Sequence, residues 1–150
     1  YKAAHGNKIY GNLLMNGQAS GMNYSGAVSN NEVFNNVFIN AGSNKTARAG
    51  GYAIAFWCQA QHDGTKLPMG PGNKIYNNTF IGKTNSGLID TRIGMTGYGR
   101  YCHSTSGGKP LAENVAIYNN IFYPSSPPPV TLTEVSTIRN NIFYNVTGSV

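Results

Sequence analysis

Two glycine-rich stretches hold most of the side chains able to do chemistry. Residues 59–72 carry His62, Asp63 and Lys66, and residues 94–110 carry Arg100, Tyr101, His103 and Lys109. Imidazole, amine and guanidinium groups in company are the types that take a proton from carbon beside a carboxylate while neutralising that carboxylate. Lys83, Arg92, His62 and Arg100 are candidates for such work. Carboxylates are few: Glu32, Asp63, Asp90, Glu113 and Glu134 stand on separate stretches. Hydrolysis of a glycosidic bond needs two or three converging carboxylates, so elimination is favoured over hydrolysis as a reaction for this chain.

The elements that position these groups follow from a phrase said five times. Asn7-Lys-Ile-Tyr-Gly-Asn12-Leu-Leu-Met15 returns as Asn31 to Ile39, Asn73 to Ile81, Val115 to Tyr123 and Ser136 to Tyr144. Its second Asn falls at 12, 36, 78, 120 and 141, at intervals of 24, 42, 42 and 21 residues. The unit is therefore about 21 to 24 residues long, with insertions in two copies at about 59–72 and 94–110, and such a period predicts a solenoid. The position three before that Asn (Ile9, Val33, Ile75, Ile117, Ile138) and the position two after it (Leu14, Phe38, Phe80, Phe122, Phe143) are always apolar. Two short strands hinged at Asn, each with one inward side chain, account for that. Asn suits the hinge because it tolerates left-handed backbone and its amide can bond locally, and stacked copies can bond one another as a ladder.

Residues 24–28, 52–58, 88–93 and 130–135 supply a third strand between phrases, and no helical apolar period occurs anywhere. The pattern resembles the right-handed parallel β-helix repeat of the pectate-lyase-like superfamily, including the Asn ladder at one corner: an all-β fold of about five turns, read as a single domain over 1–150. The resemblance implies polysaccharide chemistry, although the superfamily also holds tailspikes, adhesins and members without a known reaction. The calcium lyases among them use clustered acids, and this chain has no such cluster.

Five turns at the spacing of strands make a stack only about 24 Å tall. A solenoid normally ends in caps, so the reading is a piece of a longer solenoid, or one whose ends are covered by another copy. There are 11 Lys+Arg against 5 Asp+Glu, a formal net charge of +6, which favours an anionic partner. The basic residues are scattered, which argues against a dedicated nucleic-acid module, and no run of about 18 apolar residues predicts a membrane span.

If Ile89, Thr91 and Ile93 face inward, alternation turns Asp90 and Arg92 outward beside the two insertions, which leave one corner on neighbouring turns. Substrate-binding candidates there are Asp90, Arg92, Arg100, Lys109, His62, Lys83 and His103. Cys58 and Cys102 fall at that same corner, where a disulfide between turns is expected, two buried thiols being the alternative. Adjacent Cys102 and His103 point poorly for a shared zinc site with Cys58 and His62; neither a metal nor a cofactor is expected. A second candidate site is the residue two before the ladder Asn: Tyr10, Phe34, Tyr76, Tyr118 and then Arg139 form an outward column on which sugar rings could stack. The expectation is a secreted or cell-surface polysaccharide-binding β-helix for an acidic glycan, with lyase-like activity open. The alternative is a structural or adhesive solenoid that self-assembles through its ends.

Overall fold

The structure is a computed structural model that describes residues 4–17, 21–25, 28–42, 52–57, 59–60, 66–67, 71–82, 87–90, 115–124, 130–131 and 137–144. Every regular element among them is a strand: β1 (Lys8–Tyr10), β2 (Leu13–Met15), β3 (Met22–Ser25), β4 (Glu32–Phe34), β5 (Val37–Ile39), β6 (Tyr52–Trp57), β7 (Gln59–Ala60), β8 (Lys66–Leu67), β9 (Lys74–Tyr76), β10 (Thr79–Gly82), β11 (Gly87–Asp90), β12 (Ala116–Tyr118), β13 (Ile121–Pro124), β14 (Val130–Thr131), β15 (Thr137–Arg139) and β16 (Ile142–Phe143). A first sheet runs β1-β4-β9-β12-β15, a second β2-β5-β10-β13-β16 and a third β3-β6-β11-β14, all with parallel pairing. Each phrase thus gives one strand to the first sheet and one to the second, and the segment between phrases gives the third. Within the first insertion β7 and β8 form a small antiparallel pair, which the sequence reading left without structure. The second insertion lies outside the described residues.

Register explains the invariant apolar positions. Ile9, Val33, Ile75, Ile117 and Ile138 are aligned across the first sheet, and Leu14, Phe38, Phe80, Phe122 and Phe143 across the second. The inner members of both columns are fully buried and the terminal ones pack against them, with Tyr24, Val28, Ala53 and Ile54 closing the core from the third side. Consecutive rings from Phe38 to Phe143 stack at centroid separations of 4.8 to 5.0 Å, offset-parallel contact that adds to the area they bury.

The Asn ladder is present, with its labour divided more finely than the sequence reading supposed. The left-handed residue at the bend is the first of the Asn pair: Asn35, Asn77, Asn119 and Asn140 have φ between 53° and 56°, and Gly11 takes that place in the first copy. The second Asn is the buried one. Asn12 donates its backbone N–H and its amide Nδ2 to Asn36 Oδ1, Asn36 does the same to Asn78, Asn78 to Asn120 and Asn120 to Asn141, all at 2.8 to 3.1 Å. The amide nitrogens also donate to strand carbonyls, for example Asn78 Nδ2 to Val33 and Tyr76 and Asn120 Nδ2 to Ile75 and Tyr118. A buried amide is tolerable because both its ends are satisfied.

A second ladder joins Asn7 to Asn31 and Asn31 to Asn73 by the same pair of bonds. Buried Val115 holds the corresponding phrase position in the fourth copy. Gly6, Asn30 and Gly72 are the left-handed residues before it, and Asn16 and Asn40 those after β2 and β5, with Gly82 the equivalent at the end of β10. Left-handed residues therefore recur every five positions, at 6, 11, 16, at 30, 35, 40 and at 72, 77, 82. At Gly82, φ 90°, a Cβ would meet Asn40 Oδ1, so a side chain there would require the Asn40 amide to shift and would sit in left-handed backbone.

Candidate functional site

Alternation along three-residue strands puts the middle side chain inside and the outer two on the surface. The first sheet accordingly shows two outward columns. One is Tyr10, Phe34, Tyr76, Tyr118 and Arg139; the other is Lys8, Glu32, Lys74, Ala116 and Thr137. The four rings stack at 5.0 Å between centroids, with interplanar angles of 11°, 6° and 1°, and the Arg139 guanidinium lies 5.1 Å from the Tyr118 centroid. The column anticipated from the sequence exists, and Tyr76 and Tyr118 are neighbours in it.

Its geometry corrects one expectation. Each inner ring has a neighbouring ring on both faces, and Tyr118 has Tyr76 on one side and Arg139 on the other. A sugar cannot stack on faces so occupied. What the column turns outward is a row of ring edges, phenol oxygens and one guanidinium at the pitch of the strands.

Glu32 links the two columns. Tyr76 Oη donates to Glu32 Oε2 at 2.7 Å, and Lys74 Nζ stands 3.7 Å from Glu32 Oε1. The phenol bond, then the Lys74 and Lys8 charges, hold the carboxyl below the usual carboxylate range. The same bond pushes the Tyr76 phenol up to about 12. Bonded to Tyr76 and beside Lys74, the lowered Glu32 carboxyl joins the aromatic and the charged columns of this face. Sequence reasoning missed this group; the signal was the Lys, Glu, Lys succession at one phrase position, which parallel register brings side by side.

Tyr76 and Tyr118 are the only proposed binding residues whose side chains the structure describes. The backbone of Asp90 lies on β11, paired with Ala55 and Thr131, and its side chain lies outside the described part. Arg92, Arg100, Lys109, His62, Lys83 and His103 lie outside the described residues, as do Cys58 and Cys102. No three His, Cys, Asp or Glu side chains among the described residues come together as a metal site would require. No helix among them is long and apolar enough to cross a membrane. In comparison with known proteins, no family model, no curated protein and no solved structure matches the chain.

Proposed function

We propose that the chain is a right-handed parallel β-helix of about five turns, of the pectate-lyase-like kind, that binds an acidic polysaccharide outside the cell along the outer face of its first sheet. The observation that carries this reading is the unbroken outward row from Tyr10 to Arg139 beside Lys8 and Lys74. Its pitch is that of the strands, so it offers a repeating polymer a ring edge or the Arg139 guanidinium at each level, with Lys8 and Lys74 beside two of them. Phenol oxygens suit sugar hydroxyls, and the lysines and Arg139 suit carboxylate or sulfate groups. Among the described side chains of this face Glu32 is the one carboxylate, which leaves no partner for a two-carboxylate hydrolysis there. Any reaction would be an elimination drawing on the basic residues of the insertions.

A specific observation also favours the structural reading: rings that already cover one another stabilise the stack without a ligand. A panel of acidic and neutral glycans, with ultraviolet absorbance followed for unsaturated products, separates the cases. Retention of acidic glycans supports the binding reading, product absorbance adds the lyase, and a chain that retains no glycan but assembles end to end supports the structural one.

A further inference from the structure

The charges on the outer face of the first sheet fall in a pattern of their own. With its five strands taken as levels, in the order β1, β4, β9, β12, β15, the outward pairs are Lys8 and Tyr10, Glu32 and Phe34, Lys74 and Tyr76, Ala116 and Tyr118, Thr137 and Arg139. Cations stand at the first, third and fifth levels and at neither of the others. Lys8, Lys74 and Arg139 are all exposed. The second level instead carries the carboxylate of this face, and the fourth carries no charge.

Resting on the binding reading above and narrowing its substrate class, we propose that the polymer held by this face is an alternating one, an acidic sugar followed by an uncharged sugar, lying across the strands with its acidic sugars at the odd levels. Spacing is the first argument. Levels are about 4.8 Å apart, so successive cations are about 10 Å apart along the stack. One sugar of an extended chain advances by about one such level, and an acidic group on every second sugar therefore keeps step with the cations. Outward side chains of one strand are two residues, about 7 Å, apart. A chain lying between the two columns thus reaches Lys8 and Lys74 on one flank and Arg139 on the other.

Glu32 supplies the second argument. Its carboxyl lies below the usual range, so it is charged at neutral pH, and the 2.7 Å bond from Tyr76 Oη fixes its place. A polymer with an acid on every sugar would set one against it, and like charges facing each other oppose binding. A hydroxyl or amide N–H of an uncharged sugar meets the same carboxylate as a donor. Lys74 stands 3.7 Å from Glu32 Oε1 with nearly half its side chain exposed. So loose a surface pair holds the ammonium only weakly and leaves it protons for a ligand. The count of charges agrees: over the five levels an alternating chain brings three acids to the three cations, whereas a uniformly acidic one brings five.

Calorimetric titration with two oligosaccharides of equal length tests the proposal, one alternating glucuronate with N-acetylglucosamine and the other galacturonate throughout. The wild-type chain should bind the alternating one about threefold tighter or more. Glu32→Gln keeps an acceptor for Tyr76 and removes the charge, and Ala116→Lys adds a cation at the fourth level. Each should raise affinity for the galacturonate oligomer and shrink that ratio. Equal affinities in the wild type, or tighter binding of the galacturonate, would overturn the alternation and leave the binding reading intact. So would a preference that neither variant changes, since sugar shape and not charge would then set it. Binding of neither oligomer, by a chain that retains other acidic glycans, would likewise overturn it. A chain that retains no acidic glycan loses the binding reading, and the alternation with it.

Discussion

Tyr76 and Glu32 are bound across the β4–β9 pair by a 2.7 Å phenol–carboxylate hydrogen bond that joins the aromatic column to the charged one. One bond moves both groups, in opposite directions. Glu32 is lowered from 4.5, so its contribution to stability is present above that value and is lost as pH falls through the lower folded one. Tyr76 is raised from 10.0, so its contribution is whole below 10.0 and is lost as pH rises toward about 12. Both side chains are partly open to solvent, which keeps the effect on stability small. Glu32→Ala should bring one phenol back toward 10.0 in an ultraviolet tyrosinate titration. A titration curve superimposable on wild type would mean that the bond does not persist in solution.

Asn78 stands in the buried middle of its ladder, accepting two bonds from Asn36 and donating onward to Asn120, Val33 and Tyr76. Asn78→Ala strands buried donors and carbonyls, each at about 1–3 kcal/mol. Asn78→Asp should be worse, because it keeps the acceptor for Asn36 but turns a carboxylate oxygen toward carbonyls and Asn120 Oδ1. Asn12→Ala, at the exposed end, should lose far less. Urea denaturation gives the order, and equal losses at 12 and 78 would contradict a buried ladder.

At Phe80 the ladder's apolar counterpart is tested. Its ring is fully buried between Phe38 and Phe122, and truncation to Ala should cost about 3–5 kcal/mol. Leu14→Ala, at the half-open end of the same column, should cost less. A melting shift at Phe80 no larger than that of a surface mutant would put the column outside.

The inward columns were legible because their apolar identity survives in all five copies, and parallel pairing of like with like turns a period in sequence into a column in space. The outward ring column was legible for the same reason. What escaped was whatever depends on neighbours in space. That Asn35 bends while Asn36 bonds is a backbone distinction within two identical letters. The Asn7, Asn31, Asn73 ladder hid because Val115 breaks it. The Tyr76–Glu32 bond needs two residues 44 apart to meet on a diagonal, which register alone supplies. The basic and histidine residues of the insertions had no repeat to align them, and periodicity says nothing about a loop.

The left-handed corners allow a sharper mutational contrast. Asn119 is exposed at φ 56°, a conformation that costs a branched residue about 1–2 kcal/mol and glycine almost nothing. Asn119→Val should lower stability by that amount, while Asn119→Gly should be close to neutral. Chemical denaturation of the two variants checks it; equal stability would mean that the corner relaxes out of the left-handed region.

Binding separates the two candidate sites. Affinity for an acidic glycan should fall as salt rises, because exposed charges are screened beyond about 8 Å at physiological ionic strength, and neutral glycans should show little of that dependence. If the first-sheet column holds the polymer, Tyr118→Ala with Arg139→Ala removes a phenol and a guanidinium from adjoining levels and should weaken binding about tenfold or more. The melting temperature should fall modestly, because the pair also removes the Tyr76–Tyr118 stack and the Arg139–Tyr118 contact, so binding is compared at a temperature where both chains are folded. Arg92→Ala with Arg100→Ala serves as the counterpart for the insertions. Loss in the second pair with none in the first would move the site from the sheet to the insertions. The salt dependence would survive that move, because both sites are basic, so only the paired variants decide between them.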